Sequence, residues 1–445
     1  MRKSKFKISN LQIIALGYFL MIMLGTALLT LPIATQSGES ASFSDALFTS
    51  TSASCVTGLV VRDTATYWSS FGQTVIILLI QVGGLGFMTI ATLFFLLLRK
   101  RLGLREREVF IDSINHDSLG GLRTFVKKIV FGTLIFEGIG AILLMIRFIP
   151  EFGVSKGIYY GIFHSISAFC NAGFDLMGVK EPYSSLVSYS DDILVNVVIV
   201  LLITVGGIGF IVWDDIFTHK LRFKRYRLQT KIVLLISAIL VFIPSLLFFI
   251  FEEENLGGLS FREKVLSVIF DAVTPRTAGF NTSDIASLTT PSKFLTIILM
   301  FIGGSPGSTA GGIKTTTFVI LIFTAFNIIR HEENISVFGR ALNVDLLKKA
   351  VCVFIINLSL AFLGVFVISA SQNIDIIDVM IESFSAIGTV GMSSGITRDL
   401  GILSRYVLVF LMFCGRVGSM SFAIALLEKK SPPPVTYPEE NIMIG

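Results

Sequence analysis

The chain has 445 residues, of which 53% are hydrophobic and only 15% charged, with a formal net charge of +5 and a mean hydropathy of +0.79. Soluble domains carry about 25% charged residues, and their cores stop growing near ~250–300 residues, so the apolar excess has to face lipid rather than a larger core. The basic surplus does not mark a nucleic-acid binder, because Lys and Arg cluster in short segments between apolar spans rather than in a stripe interleaved with aromatics.

A membrane helix needs roughly 20 apolar residues. Eight stretches qualify, at about 11–34, 70–98, 125–149, 190–217, 229–251, 291–329, 348–370 and 403–427. The first is too long for the core of a signal peptide and is read as the first membrane helix. Between the members of each pair lies a shorter, half-apolar segment, at 43–55, 157–170, 261–275 and 376–388, of a length that suits re-entrant helices. The order long–short–long therefore recurs four times. It predicts repeats over 1–98, 99–217, 218–329 and 330–430, followed by a tail over 431–445.

Each short segment runs into a related octapeptide: SASCVTGL (52–59), SAFCNAGF (167–174), VTPRTAGF (273–280) and SAIGTVGM (385–392). The shared glycines are Gly58, Gly173, Gly279 and Gly391, spaced near a quarter of the chain. A second glycine motif sits in the later span of each repeat: Gly83-Gly84 and Gly86, Gly206-Gly207 and Gly209, Gly303-Gly304, and Gly415-Arg416 with Gly418. The paired glycines read as close helix-packing sites.

Lys and Arg concentrate in 2–7, 99–128, 218–231, 330–349 and the stretch after 428, all on one side of an eight-span chain. The positive-inside rule makes that side the cytoplasm, with both termini there and the glycine turns near the outer face. The basic loop 218–231 reads as a topology and headgroup determinant, or as a docking site for a cytoplasmic partner. The cysteines Cys55, Cys170, Cys352 and Cys414 lie in apolar stretches and are expected to be free thiols.

A chain that dips into a membrane and turns back leaves backbone polar groups inside it, which is tolerated only where protein or a water-filled path surrounds them. Four such turns around an axis would form a ring of carbonyls able to replace the hydration shell of a potassium ion, with glycine allowing the positive φ this needs. The long–short–long repeat with one glycine per turn resembles the Trk/Ktr/HKT superfamily of potassium transporters, nearest to the membrane subunit of Ktr-type uptake systems, over nearly the whole chain.

The resemblance implies an all-α integral membrane fold of four helix–pore-loop–helix repeats, with eight transmembrane helices and four re-entrant pore helices. It implies a potassium filter at Val56, Thr57 and Gly58; Asn171, Ala172 and Gly173; Thr277, Ala278 and Gly279; and Thr389, Val390 and Gly391. Glycine at Gly58 favours potassium over sodium. No second glycine follows any of the four, as Leu59, Phe174, Phe280 and Met392 stand there, so a shorter and less selective filter than that of tetrameric potassium channels is expected.

The segment 303–317 interrupts an apolar stretch. Gly307 and Gly312 only superficially suggest a phosphate loop, because Ile313 precedes Lys314 and no strand leads in. Gly303, Gly304, Ser305, Pro306, Gly307, Gly311 and Gly312 break the helix where non-helical backbone has to line a cavity. The resemblance makes this segment a gate below the filter, with Lys314 and Arg416 adding positive charge there; Arg416 also reads as a structural ion pair.

Among other intramembrane groups, Glu137 reads as a cation ligand or the partner of a basic group, Asp271 and Arg276 as a mutual pair, and His164 as a packed neutral residue. The histidines offer no metal set.

No Walker motif, phosphorylation aspartate or catalytic triad is present, so no enzymatic activity and no cofactor of the chain's own are expected. The resemblance further implies a plasma-membrane homodimer and a separate cytoplasmic ring subunit of RCK-domain type that binds nucleotide and acts on the gate. Membrane lipids are the other expected contact, and sodium dependence stays open. Two other readings remain: a secondary transporter with alternating access at the broken helix 303–317, and a non-transporting membrane scaffold.

Overall fold

The computed structural model describes residues 9–97, 108–109, 122–220, 222–331, 336–418 and 440. The basic tail 2–7, most of the segment 99–121, residues 419–427 of the last span and the C-terminal tail other than Glu440 lie outside the described residues.

The fold is an all-helical integral membrane architecture, with one two-residue hairpin, Ser336–Val337 against Arg340–Ala341, among the described residues. Four long helices open the repeats: α1 (Asn10–Leu29), α5 (Leu122–Phe152), α9 (Leu228–Phe251) and α13 (Val344–Ser371). Each is long and apolar enough to cross a membrane alone. Their outward faces carry Phe131, Phe242 and Phe366, each more than 70% exposed, which lipid would cover.

Each long helix is followed by a short one: α2 (Phe43–Cys55), α6 (Val154–Phe169), α10 (Phe261–Val273) and α14 (Ile376–Gly388). Their starts are written in the sequence for α2, α10 and α14. Ser42 and Ser260 accept from the backbone N–H three residues on, and Asp375 from the N–H of Ile377. The short helices are buried far more completely than the long ones, down to their serines and threonines. One apolar core joins the first two repeats and the short helix of the third around Trp68, Phe148, Phe163, Tyr189 and Phe270. A second joins the first, third and fourth around Phe48, Met300, Ile381 and Met412.

The closing helices of the first three repeats are interrupted. α3 (Ser70–Leu85) and α4 (Phe87–Leu97) meet at 92°, and α7 (Ile193–Ile208) and α8 (Phe210–His219) at 94°. The hinges are Gly86 and Gly209, at φ +85° and +99°, a backbone region that costs a side-chain-bearing residue about 1 kcal/mol or more. α15 (Ile402–Val417) ends at Gly418 with φ +91°. In the third repeat the interruption is a whole loop between α11 (Thr290–Phe301) and α12 (Thr315–Ile329). The sequence marks only this last break; the structure places one in each of the first three repeats, at or near the second glycine motif, and ends the fourth repeat's α15 at the same motif.

The paired glycines do act as packing sites. A Cβ on Gly83, Gly206 or Gly415 would overlap the carbonyl oxygen of Ser54, Phe169 or Ile387, so each closing helix seats directly on the end of its own repeat's short helix. The four cysteines are free.

Candidate ion pathway

The four glycine turns follow the C-terminal ends of the short helices and share one backbone pattern. Val56, Asn171, Thr277 and Thr389 have φ between +50° and +73°, and two residues later Gly58, Gly173, Gly279 and Gly391 have φ between +68° and +98°. The need for glycine at the second position is visible in the sequence. The left-handed residue two places earlier is not, because Val and Thr disfavour it.

The turns close into a ring. A Cβ on Gly173 would stand 2.7 Å from the Ala278 carbonyl oxygen, and one on Gly279 2.5 Å from that of Val390. A Cβ on Gly391 would overlap the Thr57 carbonyl oxygen, and one on Gly58 that of Ala172. Repeat one thus touches two, two touches three, three touches four and four touches one. Among the described residues no hydrogen-bond donor reaches those four carbonyl oxygens.

The N–H groups of the turns are used differently, pointing back into the short helices. Thr57 N–H donates to the Ser52 carbonyl (2.8 Å), Ala172 to that of Ser167 (2.8 Å), Val390 to that of Ser385 (2.8 Å) and Ala278 to that of Thr274 (2.9 Å). Side chains reinforce this. Ser52 Oγ accepts from Gly58 N–H (3.1 Å) and Ser385 Oγ from Gly391 N–H (3.0 Å). Ser167 Oγ and Thr274 Oγ1 donate to the carbonyls of Phe174 and Phe280. Sequence reasoning missed these four braces. The signal was there: a serine six places before the glycine in three octapeptides, with Val273 breaking the pattern and Thr274 replacing it one place later.

On the side away from the helix breaks, the ring opens into a vestibule of about 220 Å³ lined by the four glycines, Asp63, Asp175, Asp284 and Arg398. Asp63 is held by the N–H groups of Ala65, Thr66 and Tyr183. Burial, with the Asp63 charge adding to it, pushes the Asp175 carboxyl up to about 7. Neither carboxylate was singled out from the sequence.

On the other side, the loop between α11 and α12 lies directly under the ring. A Cβ on Gly311 would overlap Thr389 Oγ1, and one on Gly312 would stand 3.0 Å from the Gly388 carbonyl oxygen. The loop docks on the second repeat's hinge: Ser305 N–H donates to Gly207 (3.0 Å), Thr309 N–H to Gly206 (3.3 Å), and Phe210 N–H to the Gly307 carbonyl (2.7 Å). A Cβ on Gly209 would stand 2.7 Å from the Pro306 carbonyl oxygen. The Asn171 amide lies between Thr277 Oγ1 (3.3 Å) and Thr309 Oγ1 (3.2 Å), tying ring to loop. Within the loop, Thr315 N–H donates to Gly304, Ser305 Oγ meets Thr315 Oγ1, and Lys314 Nζ donates to the Ala310 carbonyl at 2.8 Å. Gly303 packs on the Gly311 carbonyl.

Arg416 donates to the carbonyls of Thr309, Gly83 and Gly84, which joins the fourth repeat to the loop and to the first repeat. No carboxylate pairs with it among the described residues, so the ion-pair reading of Arg416 is not what the structure has. Gly84, Tyr18, Phe210, Lys314 and Arg416 help enclose a cavity of about 170 Å³ beside the loop.

Two other pairings expected from the sequence are corrected. Asp271 and Arg276 do not meet: Asp271 accepts from Ser267 and Ser283, and Arg276 reaches Ser237 Oγ at 3.1 Å. They are five residues apart, past the helical three- or four-residue spacing that brings side chains together. Glu137 meets no basic group among the described residues; Gln81 Nε2 donates to it at 3.2 Å and the Cys170 thiol lies 3.9 Å away. His164 is packed and neutral, because its Nε2 accepts from Leu176 N–H (3.2 Å), leaving Nδ1 to donate to the Tyr160 carbonyl (2.8 Å).

Four lipid-facing helices, four buried half-helices and an axial ring of glycine turns define a membrane protein of the four-repeat pore class. Residues 14–433 match the family described as TrkH, cation transport protein. The chain is 40% identical to the Potassium/sodium uptake protein NtpJ of Enterococcus hirae, over all of this chain and 99% of that one. It is also 40% identical to the Ktr system potassium uptake protein B of Bacillus subtilis, over 98% of this chain and 96% of that one. The crystal structure of the potassium transporter TrkH from Vibrio parahaemolyticus has the same fold, with a TM-score of 0.73 at 19% identity, covering 96% of this chain and 86% of that one. The chain belongs to the TrkH family of cation transport proteins.

Proposed function

We propose that this protein carries potassium ions into the cell across the plasma membrane, through the ring formed by the four glycine turns. The observation that carries this reading is the closed ring of four carbonyl oxygens, those of Thr57, Ala172, Ala278 and Val390, which no donor among the described residues reaches while the neighbouring N–H groups are bound inside the protein. Such oxygens can take the place of an ion's water shell. The names of the two bacterial relatives support potassium as the cargo.

The loop 303–317 is the gate. It fills the space under the ring, and Arg416 holds it closed by donating to Thr309 while bridging to Gly83 and Gly84. Opening breaks these bonds and shifts a fixed positive charge off the path, which raises cation occupancy. Lys314 acts with it. The chain works as a homodimer with a cytoplasmic nucleotide-binding ring subunit that biases the gate. Both termini are cytoplasmic, as the basic segments require, so the carboxylate-lined vestibule faces outward and gathers cations.

Rubidium-86 flux into proteoliposomes holding the purified protein tests this reading. Uptake that unlabelled potassium competes strongly and sodium weakly is the expected result. Uptake that both ions block equally would remove the filter role of the ring.

A further inference from the structure

The serines and the threonine that brace the turns reach no further than the glycine or the residue after it. The chain that leaves each turn is held separately, by another side chain of the same short helix. Three residues before its brace, on the same helical face, α6 carries His164, α10 carries Asp271 and α14 carries Glu382. The spacing is kept in the third repeat, where brace and grip both lie one place nearer the glycine. His164 Nε2 accepts from Leu176 N–H at 3.2 Å, and Asp271 from Ser283 Oγ at 2.8 Å. Glu382 accepts twice, from Ser393 Oγ and, at 2.6 Å, from Thr397 Oγ1. In α2 the corresponding residue is Thr49, whose Oγ1 has no hydrogen-bond partner among the described residues. There the tie moves one helical turn back to Asp45, which accepts from Arg62 Nε at 3.0 Å.

The fourth grip is the most complete. Glu382 is fully buried, and each of its oxygens takes one hydroxyl. Ser393 Oγ also accepts from Gly395 N–H (2.9 Å) and meets Thr397 Oγ1 (2.9 Å), so one carboxyl group ties 393–397 into a single unit. Ser393, Gly395 and Thr397 line the vestibule beside Gly391. Gly391 in turn stands where the fourth repeat closes on the first, against the Thr57 carbonyl and Gly58. What Glu382 holds therefore bears directly on one joint of the ring.

We infer that Glu382 is a positioning residue that determines ion specificity: by gripping Ser393 and Thr397 it fixes the fourth turn, and with it the spacing of the carbonyl ring. The inference rests on the reading of that ring as the filter. A ring of carbonyls discriminates between ions by its size and by how far its dipoles can move, and such groups hold their places to within about 0.5 Å only when a surrounding shell of hydrogen bonds locks them. Without the grip, the fourth turn gains freedom to close on a smaller ion. Discrimination then falls while passage continues, because the inward N–H bond of Val390 and the Ser385 brace on Gly391 remain.

The test measures rubidium-86 uptake by the full-length protein in proteoliposomes, with potassium and sodium as competitors, and the unfolding temperature of each variant in detergent. Glu382→Gln keeps the size of the side chain and one acceptor oxygen. It is expected to lower the ratio of the sodium to the potassium half-inhibition concentration by about fivefold, with maximal uptake and unfolding temperature little changed. Ser393→Ala combined with Thr397→Val strips the same grip from the other side, and keeps the question answerable should Glu382→Gln fail to fold. It should give the same loss, and joining all three changes should add nothing further. A merely structural role would lower the unfolding temperature or the amount of uptake and leave the ratio alone; that outcome in either folded variant overturns the inference. Wild-type protein that sodium and potassium block equally would instead remove the filter reading, and this inference with it.

Discussion

The ring and the loop beneath it are both rich in glycine, yet they are held in different ways. In the ring, glycine is there because carbonyls of the next repeat leave no room for a Cβ and because φ is positive; the N–H groups of Thr57, Ala172, Ala278 and Val390 are tied inward and three serines and a threonine brace the turns. In the loop, Gly303, Gly304 and Gly311 are equally short of room for a Cβ and Gly307 and Gly312 have positive φ, but here they serve to interrupt a helix. The loop is secured by a few backbone bonds to the Gly206–Phe210 hinge, by the Thr309 hydroxyl on Phe169 and Asn171, and by one arginine from another repeat. A ring crowded on all sides has one arrangement, whereas a segment held at a few points can have two. On the proposed reading, selection belongs to the first and switching to the second.

The sharpest way to break this comparison is Gly391→Ala. The new methyl overlaps the Thr57 carbonyl at a backbone φ of +95°, and strain of this kind, roughly 1–3 kcal/mol, becomes a 10- to 100-fold fall in rubidium-86 uptake. Wild-type uptake in that variant would mean the ring does not carry the ion. Next is Arg416→Gln. Losing charged hydrogen bonds to Thr309, Gly83 and Gly84, worth about 1.5–3 kcal/mol each at most, should raise flux measured without any cytoplasmic partner about tenfold. Unchanged flux would show that Arg416 does not hold the gate.

A smaller effect separates brace from ring. Ser167→Ala removes the bond to the Phe174 carbonyl and should lower thermal stability by about 1 kcal/mol, with potassium-over-sodium preference reduced only severalfold. The smallest effect concerns the vestibule. The Asp175 carboxyl, lifted to about 7 by burial and Asp63, gains its charge as pH rises through that value. Asp63, Asp284, Tyr183 and Arg398 share the vestibule with it. Uptake at low potassium should therefore rise about twofold between pH 6 and 8, and Asp175→Asn should flatten the profile at the lower level.

How far the ring was legible can be judged residue by residue. Gly58, Gly173, Gly279 and Gly391 stand out because four related octapeptides recur at one period between apolar stretches. Ser52, Ser167 and Ser385 were in the same octapeptides, but a serine in a half-apolar segment has many uses and only the fold shows it gripping the turn. The hinges at Gly86 and Gly209 were hidden, because an apolar run reads the same whether the helix goes straight through or turns 90°. Arg416 was recognisable as a costly charge in an apolar span, but its partners proved to be main-chain carbonyls of two other repeats, which no side-chain pattern announces. Asp271 and Arg276 failed as a pair because closeness in sequence was taken for closeness in space.

The sequence by itself determined the membrane class, the four-part organisation, the turn glycines and the place of the helix-breaking loop. These follow from hydropathy, periodicity and the conformational range of glycine, all of them local properties. Which carbonyl meets which glycine, where the closing helices bend, what Arg416 holds and which carboxylates share a cavity were decided only by the tertiary structure. Each joins residues from different repeats, and that juxtaposition comes from packing around a common axis rather than from any neighbour in the chain.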